Sequence, residues 1–297
     1  MTIYLFIVPH IKNQIQHWLS HLLNLIFYSN IWIAVCALAM TLQTQYLLNH
    51  QITFTPLMAC VFFSTLGLYA IHRLTGLQKV TAFAEKGRYL VISTFKRHII
   101  FYAAVSLLLG GWFFLQLQFD IQLHFIFVGF ISLGYVLPIL GRGKRFRDVH
   151  YIKIFMIAIT WAWVTVVLPA LDSGYLWDTD LFLLVIERAF FIFGITLPFD
   201  IRDFHIDAHT GVKTIPSYVG VLKTKQLALI FLLLAIIPSF FTIGNVHSVG
   251  SFLGFCIAIL LTSIMVWKAD RFQHDYYFTG LVDGSMVLQF LLVWGVF

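Results

Sequence analysis

The sequence predicts an all-α integral membrane protein, a bundle of nine transmembrane helices. Composition, the spacing of apolar runs and the placement of basic residues each point there. Of 297 residues, 60% are hydrophobic and 11% charged, and the mean hydropathy is +0.88. Soluble domains carry about a quarter charged residues, so this chain could not cover a surface with polar groups in water. In a bilayer it need not, provided each backbone group is satisfied within a helix. The 31 phenylalanines fit lipid-facing and cavity-lining surface.

A hydrocarbon core about 30 Å thick takes roughly 20 mainly apolar residues per helix. Such runs occur at about 28–48, 54–71, 98–117, 121–140, 152–171, 180–199, 225–244, 250–267 and 278–296. The stretch before them is interrupted by Lys12, Asn13, Gln14, Gln16 and His17. It has neither the basic start nor the small-residue cleavage site of a signal peptide. Residues 1–26 therefore read as an interfacial amino-terminal segment and 27–297 as a single transmembrane domain.

Seventeen of the 19 Lys and Arg residues fall in the loops after the second, fourth, sixth and eighth runs, counting loop edges, and none in the odd-numbered loops. The positive-inside rule then places the amino terminus and the even loops in the cytoplasm and the carboxyl terminus outside. The net charge of +6 is accounted for by those loops rather than by a nucleic-acid surface. Cys36, Cys60 and Cys256 are isolated, without a CxxC, and read as buried small hydrophobes.

Polar chemistry concentrates at the end of the sixth run, LPFDIRDFHIDAHTGVKTIPSYVG, Leu197 to Gly220. Asp200, Asp203 and Asp207 follow an i, i+3, i+7 spacing that puts three carboxylates on one helical face. Like charges so stacked repel unless a cation sits among them, and hard oxygen ligands suit Mg²⁺. Arg202, His209 and Lys213 lie close in sequence, and Lys213 could reach phosphate oxygens left exposed by a metal. Gly211 and Pro216 then break the helix.

The run Asp200-Ile-Arg-Asp203-Phe-His-Ile-Asp207, with Gly211, Thr214, Pro216 and Gly220, resembles the second aspartate-rich motif of the UbiA superfamily of intramembrane prenyltransferases. Tyr135-Val-Leu-Pro138, followed by Arg142, Gly143, Lys144 and Arg145, is similar to that family's stretch at the end of the fourth helix. The resemblance spans nearly the whole chain. It implies Mg²⁺ on Asp200, Asp203 and Asp207, a prenyl diphosphate above a cavity in the bundle, and a lipophilic, usually aromatic, acceptor. Lys213 and Arg73 would act at the diphosphate, with Lys144, Arg145, Arg202, Tyr135 and His72 in substrate binding. Trp161, Trp163, Phe190 and Phe193 are candidate faces for a carbocation and equally candidates for plain packing.

One part of the pattern departs. The first motif should be Asn-Asp-x-x-Asp at the end of the second helix, where this chain reads Leu68-Tyr69-Ala70-Ile71-His72-Arg73-Leu74-Thr75-Gly76. Either one Mg²⁺ suffices and Arg73 binds diphosphate directly, or catalysis has been lost or changed. A noncatalytic UbiA-like protein that binds an isoprenoid or lipid is thus a second reading. A transporter would call for an internal repeat, which is not evident, and a haem carrier would need histidines inside helices, whereas these cluster at loops and helix ends. Glu187 and Arg188 lie inside the sixth run, where ionisable groups are costly, and as neighbours each needs a partner on another helix. Asp283 and Gln289 belong to the ninth run. Lys268, Asp270, Arg271 and Asp275 read as a solvated loop.

Overall fold

The computed structural model describes residues 26–27, 29–79, 92–137, 146, 149, 152–209, 212–272 and 274–295. Among them, nine helices are long and apolar enough to cross a membrane. They are α1 (Ile31–Asn49), α2 (Pro56–Gly76), α3 (Lys96–Phe114), α4 (Phe119–Val136), α5 (Ile152–Asp172), α6 (Thr179–Arg202), α7 (Val221–Phe241), α8 (Val249–Arg271) and α9 (Tyr277–Gly295). The protein is an all-α, multi-pass integral membrane protein, with no strand among the described residues. Apart from Ile26, the amino-terminal segment expected at the interface lies outside the described residues.

Capping fixes several helix starts. The Asp178 carboxylate accepts from the Leu181 amide at 2.8 Å to begin α6, and Ser248 Oγ accepts from the Ser251 amide at 3.0 Å to begin α8. A side chain that takes an unpaired amide matters more where water is scarce. α6 runs on to Arg202, beyond the apolar stretch, so Asp200 and Arg202 are helical.

α1 and α6 form the centre, with 67% of each apolar window buried, against 22% for α3 and α4. α3 and α4 turn Phe101, Leu108, Trp112 and Phe130 outward, an apolar exterior suited to lipid. Close helix approach depends on small residues. A Cβ on Gly254 of α8 would strike the Leu292 carbonyl of α9, and one on Gly194 of α6 would meet the Leu232 side chain of α7 at 2.8 Å.

Two helices carry π-helical turns, Trp163–Val167 within α5 and Tyr277–Val282 at the start of α9. The second closes with the Asp283 amide bonded to the Phe278 carbonyl at 3.0 Å. Such turns rotate the following side chains relative to a regular helix. At the end of the bundle carrying the odd loops, Thr55 Oγ1 donates to Asp172 at 2.6 Å and Asn49 to Ser173 at 2.9 Å. The ends of α2, α4, α6 and α8 lie at the opposite, basic end.

Inside the bundle Glu187 and Arg188 find their partners on other elements. The fully buried Arg188 donates through Nη1 to the Met40 carbonyl (3.0 Å) and Thr165 Oγ1 (2.9 Å), and through Nη2 to Thr44 Oγ1 (3.3 Å). It thereby ties α6 to α1 and α5. Glu187 Oε2 accepts from Ser239 at 2.7 Å and meets His247 Nε2 at 2.9 Å, joining α6 to α7 and the loop before α8.

Candidate functional site at the basic end of the bundle

The chain past α6 keeps helical hydrogen bonding, from the Asp203 amide to the Phe199 carbonyl and from the Asp207 amide to the Asp203 carbonyl. The helix nevertheless breaks at Asp203, and a short helix Phe204–His209 follows. Residues seven apart on an unbroken helix sit about 10 Å apart along its axis. Because of the break, the carboxylates of Asp200 and Asp207 converge on one atom, Nζ of Lys153, at 2.6 and 3.6 Å.

Lys153 is the second residue of α5, and its side chain is only 11% exposed, against 1% for Asp200 and 8% for Asp207. The third carboxylate of the motif goes elsewhere. Arg202 clasps Asp203 through Nε and Nη2, at 2.8 and 3.0 Å, and its Nη1 lies 3.4 Å from Asp275 in the loop after α8. The guanidinium also sits over the rings of Phe199 and Phe278, 5.0 and 5.3 Å from their centroids. A weakly hydrated planar cation tolerates such partly apolar surroundings.

Arg73 leaves the end of α2 inward. Its Nη2 donates to the Phe27 carbonyl at 3.0 Å. The Phe27 ring is 5.4 Å from that of Tyr276, and burial pushes the Tyr276 phenol above its ordinary value. The charges of both Arg202 and Arg73 act on the Asp283 carboxylate. Asp283 and Tyr69 are each partly buried. Tyr69 bonds with the indole of Trp161 and lies close to Tyr135 and Cys36, and the Cys36 thiol donates to the Asp283 carbonyl at 3.3 Å. The His72 ring is 6.3 Å from Tyr69 and 6.0 Å from Tyr135.

Spans α2, α4, α5, α6 and α9, with the chain past α6, thus form separate groupings: Lys153 with Asp200 and Asp207, Arg202 with Asp203 and Asp275, and His72 with Tyr69 and Tyr135. Lys213 is exposed and precedes the helix Ile215–Val219. Pro138, Arg142, Gly143, Lys144, Arg145 and Gly211 lie outside the described residues. Of the four candidate aromatic faces, Trp161 adjoins Tyr69, whereas Phe190 meets Phe231 of α7 edge-on and Phe193 stacks on it. Trp163 packs against His124, Phe127 and Trp177.

The stretch Lys268 to Asp275, expected to be a solvated loop, proves partly structural. Asp270 binds Lys225 at 2.7 Å, and Asp275 binds Arg202. Sequence reasoning missed Lys153, which it counted only as a loop charge. The available signal was a lysine one residue inside an apolar helix, preceding α6 in an antiparallel order that sets its start beside the end of α6.

The site can place positive charge around an anion near the aromatic side chains of Tyr69, Tyr135 and Trp161. A divalent ion fits the donor set poorly. Asp200 and Asp207 close on an ammonium and Asp203 on a guanidinium, and among the described residues no three His, Cys, Asp or Glu side chains converge to hold an ion.

No family model and no curated protein sequence matches this chain. Solved structures do. A UbiA homologue from Archaeoglobus fulgidus superposes with a TM-score of 0.64 at 11% identity, covering 92% of this chain and 100% of that one. The same homologue bound to GPP and Mg²⁺ gives 0.60 at 11% identity over 92% and 100% of the two chains. A membrane digeranylgeranylglyceryl phosphate synthase gives 0.57 at 16% identity over 92% and 98%. Through nine helices and nearly its whole length, this chain has the UbiA fold.

Proposed function

We propose that this protein takes an isoprenyl diphosphate at the basic end of the bundle and transfers the isoprenyl group to a lipophilic, electron-rich acceptor in the cavity beneath. By the positive-inside rule that end faces the cytoplasm, with the amino terminus. The observation that carries the reading is the set of cations, Arg73, Lys153 and Arg202, at the basic end of an otherwise apolar bundle. A diphosphate needs cations at its head and its chain needs apolar enclosure, and this junction offers both. The Archaeoglobus homologue, solved with GPP or DMAPP and Mg²⁺, supports the class of substrate.

In this reading Arg73 and Arg202 offset the charge that grows on the departing diphosphate, and Lys213 and the Lys144–Arg145 pair contribute from the loops. Donors fixed before reaction cost no reorganisation when the charge develops. The allylic C–O bond breaks with its electron pair going to the diphosphate. The acceptor's π electrons then form the new C–C bond, and the proton displaced from the acceptor passes to the Asp283 carboxylate. Water is excluded by the enclosing helices, which protects the carbocation. Mg²⁺, when bound, would add charge neutralisation at the diphosphate. Its expected ligands Asp200, Asp203 and Asp207 are engaged by Lys153 and Arg202, and no step here depends on it.

The test is incubation of the purified protein with labelled geranyl diphosphate and an extract of membrane lipids, with mass spectrometry of the products. A geranylated lipid is expected. Failure of geranyl diphosphate to bind, with or without Mg²⁺, overturns the reading. Binding without transfer selects the noncatalytic isoprenoid-binding protein, which the missing carboxylates at the end of α2 favour.

A further inference from the structure

We propose that the Lys153 ammonium is the built-in cation of this site, holding Asp200 and Asp207 in place of a divalent metal, so that an isoprenyl diphosphate binds here without one. The inference rests on the diphosphate reading above for its ligand, but its first half stands on the geometry alone. Asp200 and Asp207 are buried carboxylates brought onto one point by the break at Asp203, an arrangement that needs a cation. The cation present is covalently part of α5, 2.6 Å from one carboxylate and 3.6 Å from the other.

A metal could enter only by displacing the ammonium, and Lys153 has little water to retreat into, being 11% exposed on a helix start packed against α6. Stranding that charge would forfeit a buried ion pair and leave its ammonium uncompensated. The carboxylates would also trade a partner at fixed distance for an ion that must shed water to enter. Arg202 holds Asp203 through two nitrogens and removes the third oxygen donor. The sequence change at the end of α2 fits the same logic. Where a second carboxylate arm for metal would stand, the chain has Arg73, a cation that contacts phosphate oxygens without an intermediary.

The experiment uses the full chain in detergent or nanodiscs. Mn²⁺, a paramagnetic stand-in for Mg²⁺, is titrated alone and followed by electron paramagnetic resonance. Geranyl diphosphate binding is measured in parallel in EDTA and in excess Mg²⁺. The parent should leave Mn²⁺ free and bind geranyl diphosphate with an affinity that changes by less than about threefold between the two conditions. Lys153→Met, which removes the ammonium from beside the two carboxylates, should bind Mn²⁺. It should also lose geranyl diphosphate affinity by about tenfold or more in EDTA, the worth of one buried charge-assisted contact, and regain it with Mg²⁺. Lys153→Arg should behave as the parent.

If Lys153→Met fails to fold, Lys153→Gln keeps a hydrogen-bond donor between the carboxylates and carries the same expectations. Mn²⁺ binding by the parent that disappears in Asp200→Asn overturns the proposal, as does parental geranyl diphosphate binding that vanishes in EDTA. Should geranyl diphosphate bind in no condition, the functional reading falls, while the Mn²⁺ contrast between parent and variant still decides the role of Lys153.

Discussion

His247→Ala should destabilise the protein by about 3–5 kcal/mol, because it strands a carboxylate inside the membrane domain. His247 and Glu187 are each about 1% exposed. Glu187 Oε2 has two partners, His247 Nε2 at 2.9 Å and Ser239 Oγ at 2.7 Å, while Oε1 has no hydrogen-bond partner. Deleting the imidazole leaves a single hydroxyl to stabilise the charge. It also opens a cavity against Phe255, whose ring centroid is 6.0 Å from that of His247. For a chain of this length the loss corresponds to a Tm lower by roughly 5–8 °C, from an unfolding entropy of about 2 cal/mol/K per residue. The assay is thermal unfolding of parent and variants in one detergent. Glu187→Leu combined with His247→Leu should recover most of the loss, since removing both members of a buried pair is often neutral. A His247→Ala protein within about 1 kcal/mol of the parent, or a double variant no better than the single, would refute the reasoning.

Three further outcomes are expected. Gly254→Ala should lower thermal stability by about 1–3 kcal/mol through overpacking against α9, whereas Gly129→Ala, with open space around its new methyl, should be neutral or gain up to about 1 kcal/mol from helix propensity; equal effects would remove the packing argument. Arg73→Ala should weaken geranyl diphosphate binding by about 2–3 kcal/mol, measured calorimetrically, as for a lost charge-assisted hydrogen-bond pair, and parental affinity in that variant would point to a relic site. In a background without Cys36, Cys60 and Cys256, membrane-impermeant thiol reagent should label Lys96→Cys and Lys213→Cys from the cytoplasmic side and Leu176→Cys from the other. Labelling of the first two from opposite sides would sink the orientation.

The architecture was legible in the sequence because the bilayer imposes it. Length, hydropathy and the alternation of basic loops all report one constraint, satisfaction of backbone groups within helices, and the nine expected runs agree with the nine helices to within a few residues. Helix ends were less legible. α6 continues through Asp200 and Arg202, although neither is apolar, because its backbone hydrogen bonds carry on into the loop. Glu187 and Arg188 announced that they needed partners, but Ser239, His247, Thr44 and Thr165 could not be chosen without knowing which helices touch. Lys153 was hidden for the same reason. Charge counting assigns a lysine to a loop, whereas only the packing of α5 against α6 shows that it enters an acidic motif.

The departure at the end of α2 and the arrangement around Lys153 bear on each other. A metal-centred site on this fold, as the resemblance implies it, would place carboxylates on both α2 and α6 and leave the cation to solvent supply. Here α2 contributes Arg73 and α5 contributes Lys153, while a further carboxylate, Asp283, follows the π-helical turn of α9. Carboxylates on α6 without carboxylates on α2 would make an incomplete metal site, and Lys153 beside Asp200 and Asp207 supplies positive charge there. The two features fit each other. That coupling favours a remodelled anion site over simple decay, because decay gives no reason for the surviving carboxylates Asp200, Asp203 and Asp207 each to be met by a buried or half-buried cation.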